Sequence, residues 1–249
     1  GQHRGRGRRS GGIRVCHRPD RRRTFGGKRH PILPRAGWSV DQIRATHQPV
    51  LSGVRGRPGG LVGATPARRG CGGQRGAQPG ASGIGAAGGH GVLKAVITQN
   101  VDDLHGQAGS RALLEIHGNR NYLRCVGCGG RWPRADYVIG DVPPICRACG
   151  GVIKLDTVMF GEPIPRATLD ACFAEVRRCD TVLLVGTSGT VNPAAQFPLL
   201  ARELGARVIE VNPGPTQLTH AANVAINGPA GELLPKIVES VRRRLQRIE

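Results

Sequence analysis

Aromatic side chains make up only 3% of the 249 residues, too few for the stacking platforms on which single-stranded nucleic acids are held. No apolar run approaches the ~20 residues of a membrane helix, and no charged-then-apolar leader precedes a small-residue cleavage site. The sequence therefore reads as a soluble, unexported protein. Acidic residues are scarce in one part only. Residues 1–93 hold two Asp and no Glu against 18 Lys and Arg, a formal charge of +16, whereas 94–249 carries just +3. The first third also lacks sustained apolar periodicity of 2 or 3.6 residues. Turn-formers such as Pro58-Gly59-Gly60 and Gly72-Gly73 interrupt the candidate elements. Such a segment buries too little apolar surface to offset chain entropy, so 1–91 is expected to be a basic, largely disordered region as written.

From about Val92 the texture is that of a globular α/β protein. Leu93–Thr98 (LKAVIT) is an apolar run ending in the polar cluster Gln99-Asn100-Val101-Asp102, a buried strand followed by a functional loop. Thr181–Val185 runs into Gly186-Thr187-Ser188, and Arg207–Val211 runs into Asn212-Pro213. Between these two strands, Pro193–Leu204 has helical spacing closed by Gly205, and Leu233–Leu245 makes a final helix whose Arg242-Arg243-Arg244 suits the negative end of the dipole. Strand, helix, strand with polar residues at each strand's carboxyl end predicts a doubly wound parallel sheet.

Cys125-x-x-Cys128 and Cys146-x-x-Cys149 each precede a glycine. In an unexported chain this pairing favours metal over disulfides. Two knuckles can set four thiolates tetrahedrally around zinc, and a closed site of that kind braces a small ribbon module rather than performing chemistry. Cys16, Cys71, Cys172 and Cys179 receive no role. Asn100, Asp102, His105 and His117 follow a buried strand closely; carboxamide, carboxylate and imidazole at a strand end are what a cofactor crevice requires. Either histidine could be a general base or could merely pack. Gly186-Thr187-Ser188 fits a phosphate-binding turn or a plain strand-to-helix turn. Asn212 fits a ribose contact or an Asx-turn.

Taken together, Thr98-Gln99-Asn100-Val101-Asp102-x-Leu104-His105, His117-Gly118, the four cysteines, Phe160-Gly161-Glu162, Gly186-Thr187-Ser188 with Pro193-Ala194-Ala195, and Val211-Asn212 resemble the sirtuins, NAD-dependent protein-lysine deacylases. The resemblance spans roughly Val92 to Glu249. It implies a Rossmann-like NAD-binding domain over 92–249, interrupted by a zinc module at about 119–155. It implies removal of acyl groups from acylated protein lysines, with release of nicotinamide and O-acyl-ADP-ribose; the paired thiols of an unexported chain suit the cytoplasm, the lack of a long apolar run predicts no membrane partner, and a nucleic-acid partner is not expected. His117 would be the general base, acting on a ribose hydroxyl once the acyl oxygen has attacked the anomeric carbon. Gln99, Asn100, Val101 and Asp102 would line the nicotinamide and ribose pocket. Gly186, Thr187, Ser188, Asn212, Pro213 and Gly214 would hold phosphate and adenine ribose, with Ala230 beside the adenine. Val158, Phe160, Gly161 and Glu162 would offer a strand edge to an extended substrate peptide, and Cys125, Cys128, Cys146 and Cys149 would hold structural zinc.

One family signature is missing: a Gly-Ala-Gly-x-Ser phosphate turn followed by Ser-Gly-Ile-Pro-x-Phe-Arg, which belongs before Val92. If Asp20 to Arg35 (DRRRTFGGKRHPILPR) is back-translated and read from each codon's second base, the genetic code permits Thr-Gly-Ala-Gly-Leu-Ser-Ala-Glu-Ser-Gly-Ile-Pro-Ser-Phe-Arg. The same offset permits further family-like strings over Trp38 to Asp41 and Ala77 to Gly89. These matches suggest that roughly Cys16 to Gly88 is an out-of-frame translation, with the frame regained near Gly89 to Gly91. The excess positive charge is then a product of misread GC-rich codons. The rival reading is a zinc-ribbon protein whose basic arm contacts nucleic-acid phosphates. It accounts for the charge but leaves Gln99-Asn100-Val101-Asp102 and Gly186-Thr187-Ser188 unexplained.

Overall fold

The computed structural model describes residues 12–16, 91–140 and 142–247. Among these residues nine strands fall into two sheets. The larger has the order β3-β2-β1-β7-β8-β9, the smaller β5 (Arg131–Pro133), β4 (Gly118–Cys125), β6 (Ile153–Thr157). The strands of the larger sheet are β1 (Gly12–Cys16), β2 (Leu93–Thr98), β3 (Leu113–Glu115), β7 (Thr181–Val185), β8 (Arg207–Asn212) and β9 (Val224–Asn227). This is the spatial order of a dinucleotide-type doubly wound sheet, in which the winding reverses beside the first strand.

Alternation along the strands explains why both faces are covered. In β2, Ala95 and Ile97 join the larger core while Val96 joins the smaller; in β7, Val182 and Leu184 face the first and Val185 the second. Helices α2 (Arg166–Arg178) and α3 (Phe197–Glu203) lie over the first face through Leu169, Phe173, Val176, Phe197 and Ala201. Helix α4 (Ala230–Leu245) covers the second through Leu233, Leu234 and Ile237. Phe173 meets Phe197 edge-on, with ring centroids 5.2 Å apart, and both are fully buried. Phe173→Ala is therefore expected to cost about 3–5 kcal/mol. Differential scanning calorimetry should read this as a fall in Tm of roughly 10 °C.

The predicted strands over Leu93–Thr98 and Thr181–Val185 are found with those bounds, and the third extends by one residue to Asn212. Four features differ from the sequence reading. The sheet is mixed: β1 is antiparallel to both β2 and β7, while the pairs β2–β3, β7–β8 and β8–β9 are parallel. A ladder needs backbone donors and acceptors in register but not one direction, so a five-residue strand fills the slot in reverse. Its presence also shows that the first third is not without structure at Gly12–Cys16. The rest of the expectation for 1–91, with the second-base reading over Asp20 to Arg35, falls outside the described residues.

The predicted helix over Pro193–Leu204 is broken into a 3-10 turn (Ala194–Gln196) and α3, because Pro198 cannot donate and so restarts the helix within its first turn. Gly205 closes α3 in the left-handed region, φ +91°. The last helix begins at Ala230 rather than Leu233, since Pro229 caps it and Pro235 removes only the bond to the carbonyl four residues earlier. None of the described helices is long and apolar enough to cross a membrane.

Candidate active site and metal centre

The carboxyl ends of β2, β7 and β8 lie along one edge of the large sheet. After β2 the loop is pinned by its own polar groups: Asn100 N–H donates to Thr98 Oγ1 (3.1 Å) and Leu104 N–H to Asp102 Oδ1 (3.2 Å). The second bond launches the one-turn helix α1 (Leu104–Gln107). Asp103 is held in the left-handed region at φ 64°, a conformation that costs a residue with a Cβ roughly 1–2 kcal/mol. Asn119 and Asn121 secure it by donating to its two carboxylate oxygens at 2.9 and 3.2 Å. His105 is buried on α1.

His117 stands half-buried just before β4 (Gly118–Cys125). Its Nδ1 lies 3.2 Å from the Gln99 carbonyl oxygen. A carbonyl only accepts, so Nδ1 carries the proton and Nε2 keeps a free lone pair. Burial pushes the imidazole pKa below its ordinary value, outweighing the opposing effect of the Gln99 bond. The ring is thus neutral near pH 7, with its basic nitrogen unbonded among the described residues. Gly118 cannot be replaced: at φ +78° a Cβ would collide with the Asp156 carbonyl. The carbonyl of His117 accepts from Val158 N–H at 2.9 Å, so the segment after β6 (Ile153–Thr157) is tied to the histidine's own backbone.

Two motifs 88 residues apart meet where Thr187 Oγ1 donates to Gln99 Oε1 at 3.3 Å. Gly186 turns at φ 59° and donates to the Val211 carbonyl. Gly189 N–H donates to Thr187 Oγ1, while Ser188 is exposed and shares a hydroxyl bond with Thr190. Asn212 is buried at the end of β8; its Nδ2 donates to the Gly214 carbonyl at 3.0 Å, bending the chain through Pro213. Its Oδ1 is buried and has no donor among the described residues, a deficit that a hydroxyl-bearing ligand would make good. Gly228 N–H donates to the Asn212 carbonyl, which brings Ala230, the first residue of α4, to the same edge.

Phe160 and Gly161 sit in a turn, not on the strand edge expected. Glu162 N–H donates to the Met159 carbonyl and Gly161 takes φ +81°. Phe160 is fully exposed, which removes core packing as its role. The edge itself belongs to β6, whose only strand partner in the smaller sheet is β4.

The four paired cysteines converge, their Sγ atoms all within 4.8 Å of one another. Four thiolates about 2.3 Å from one zinc would be spaced much like this. Gly129 and Gly150 take φ +75° and +72° directly after the second cysteine of each pair, as the knuckle turns require. The N–H of Cys128 helps draw the Cys125 thiol down to about 6, which favours the thiolate form that binds a metal while the proton leaves to solvent.

Apart from Glu162, sequence reasoning missed a network of polar and charged side chains that adjoins these groups. Buried Asn119 also donates to Glu115 (2.6 Å), Glu115 pairs with Arg131 (3.2 Å), and Arg131 pairs with Asp156 (2.6 Å). Asp156 then pairs with Arg124 (3.0 Å), Arg124 with Glu162 (2.9 Å), and Glu162 with Lys154 (3.0 Å). Burial pushes the Glu115 carboxyl up. At Glu162 the burial penalty is outweighed by the Met159 N–H, Lys154 and Arg124, which hold its carboxyl below the usual range. The one sequence signal was Asp156, which interrupts an otherwise half-apolar strand.

Comparison with known proteins agrees with this geometry. The Sir2 family model matches residues 84–193. A Sir2 homologue solved with a myristoylated histone peptide is 40% identical, with a TM-score of 0.58 over 68% of this chain and 74% of its own. The chain belongs to the Sir2 family. Another Sir2 homologue, solved as an NAD complex, is 37% identical with a TM-score of 0.62, covering 68% of this chain and 66% of that one. Among curated relatives, NAD-dependent protein deacylase 2 of Pyrobaculum aerophilum is 49% identical over 156 residues, 63% of this chain and 62% of its own length. The NAD-dependent protein deacylase of Pyrococcus abyssi is 46% identical over 161 residues, 63% of this chain and 64% of its own. The Sir2 chain described here thus spans a little under two thirds of the length of these curated relatives.

Proposed function

We propose that the site removes acyl groups from protein lysines with NAD as co-substrate, releasing nicotinamide and O-acyl-ADP-ribose, as both a hydrolase of the amide and a transferase of the acyl group. The observation that carries this reading is the convergence of Gln99, His117 and Thr187 at one sheet edge, with a neutral imidazole whose Nε2 is free. His117 takes a proton from a ribose hydroxyl through that nitrogen. Gln99, Asn100, Val101 and Asp102 line the nicotinamide and ribose pocket. Gly186, Thr187, Ser188, Pro213 and Gly214 hold the phosphates and adenine ribose, and Ala230 lies by the adenine. The donor that Asn212 Oδ1 lacks is supplied by a ribose hydroxyl. NAD, when bound, contributes an electrophilic ribose carbon and a leaving group.

Val158, Phe160, Gly161 and Glu162 receive the acyl-lysine segment beside the outer strand β6, and the four cysteines hold structural zinc. The working division is a nucleotide-binding domain over 92–249 with the zinc module inserted at about 119–155. The reduced cysteines suit the cytoplasm. Solved relatives bound to NAD and to an acylated histone peptide support this reading. A nucleic-acid-binding role leaves the convergent edge without a purpose.

The first phosphate turn is the missing piece. Cys16 pairs with Leu93 and Thr181, the first residues of β2 and β7, so β1 leads the chain away from the crevice. We infer that the second-base reading of codons 16–88 restores both a forward first strand end and the turn. The test compares the printed chain with the restored one. Restored protein is expected to release nicotinamide in step with peptide deacylation, and printed protein to bind NAD only weakly. Deacylation without NAD sinks the functional reading; micromolar NAD binding by the printed chain in isothermal titration, or an encoding DNA with an intact frame, sinks the frame reading.

A further inference from the structure

The charged side chains beside the zinc knuckles, bridged by the Asn119 amide, form one uninterrupted chain: Asp103, Asn119, Glu115, Arg131, Asp156, Arg124, Glu162. Its first member sets the strained turn of the loop after β2. Its last closes the turn after β6, since Glu162 Oε2 accepts from Met159 N–H at 3.0 Å. Its two arginines come from the small sheet: Arg124 from β4, adjacent to Cys125, and Arg131 from β5. Arg131 also lies over the Tyr122 ring, 3.8 Å from its centroid, which fixes its fork. Asp156 is the hub, using one oxygen for each arginine while its side chain is only 9% exposed.

Resting on the substrate role assigned above to Val158–Glu162, we propose that Arg124 and Asp156 are positioning residues: they clamp this segment to the zinc module so that an acyl-lysine peptide meets a preformed edge at the His117 end of β4. Among the described residues the geometry has few other supports. Among the bonds holding Val158–Glu162, one is Val158 N–H to the His117 carbonyl, and others converge on the Glu162 carboxylate, which Arg124 and Lys154 fix from two sides. An arginine is needed because Nε serves Asp156 while Nη2 serves Glu162; a lysine ammonium is a point donor without that fork. Pre-ordering the segment lowers the entropic cost of binding an extended peptide.

The test uses the full printed chain, loaded with zinc, and the variants Arg124→Met, Arg124→Lys and Glu162→Gln. Hydrogen exchange at the Val158 and Met159 amides is expected to quicken about tenfold in R124M and E162Q, the effect of losing one charge-assisted bond. Binding of a fluorescent acetyl-lysine peptide, read by anisotropy, weakens by a similar factor. R124K recovers part of both, and zinc stays at one per chain throughout. Unchanged exchange in E162Q overturns the proposal, as does peptide affinity that falls only where zinc is lost. If R124M does not fold, E162Q, placed in the turn and away from the cysteines, carries the test alone. A wild-type chain that ignores the peptide counts against the substrate reading, while exchange still decides the clamp.

Discussion

His117→Ala in the restored chain is expected to lower O-acyl-ADP-ribose formation about 10²–10⁴-fold, the range removed with a positioned general base, while leaving zinc content and the far-ultraviolet spectrum unchanged. The reasoning starts from one hydrogen bond. Because Gln99 offers a carbonyl to Nδ1, the proton is parked there and Nε2 is the only basic nitrogen. His117→Gln, which keeps a donor of similar reach but has no basic nitrogen, is expected to be as inactive as the alanine variant. The pH dependence follows from the direction of the pKa shift. Burial holds the folded imidazole below its ordinary 6.5, so kcat/KM should climb with pH along an acid limb whose midpoint lies below 6.5.

Stability carries the same sign. Between the depressed folded value and 6.5 the unfolded chain binds more protons, so His117 makes stability rise with pH in that window and its contribution is lost as the pH falls. The alanine variant removes this dependence. An acid limb lying well above pH 6.5 would show that some other group is the base.

How much of this was legible beforehand depends on the kind of signal. Leu93–Thr98 and Thr181–Val185 could be bounded from sequence because their apolar runs stop at polar clusters, and burial on both faces needs nothing else. The knuckles were legible because a metal site imposes its own spacing. The direction of β1 was not, since a short ladder satisfies its donors either way round. Nor was the turn at Phe160: its shape comes from Glu162 bonding back to Met159, which no periodicity records. The relay through Arg124, Arg131 and Asp156 joins residues 25 and 32 positions apart, and nothing local marks such partners. Gly118 illustrates the boundary. The sequence placed it after the candidate base, but only packing shows that the Asp156 carbonyl occupies the space a Cβ would need.

Stripping zinc with a strong chelator is expected to produce the largest structural effect of all, unfolding the smaller sheet. The arithmetic of its core explains why. Its buried hydrophobic residues are Leu123, Cys125, Cys146 and Ile153, supported by partly buried Trp132 and Tyr137; two of the four are metal ligands. So small a cluster cannot order β4, β5 and β6 against chain entropy, whereas a structural zinc is worth about 10–16 kcal/mol in apparent binding free energy at pH 7. Trp132 packs on Tyr137 with centroids 5.8 Å apart, so its near-ultraviolet circular dichroism reports the sheet's integrity. In a Trp38→Phe background that signal belongs to Trp132 alone. It should vanish on chelation and return with added zinc, while the ellipticity of α2 and α4 persists, because their core lies on the large sheet and contains none of the four thiols. Cys146→Ser, which leaves three thiolates and buries a hydroxyl in place of the fourth, should behave like the chelated protein at limiting zinc. Since β6 carries Asp156 and leads into Val158, loss of the sheet also releases from the His117 backbone the segment proposed to receive substrate, so the proposed deacylation should fall in parallel with the Trp132 signal. A Trp132 signal that survives complete removal of the metal would mean that the sheet stands on its own packing and that the four thiolates are not what holds it.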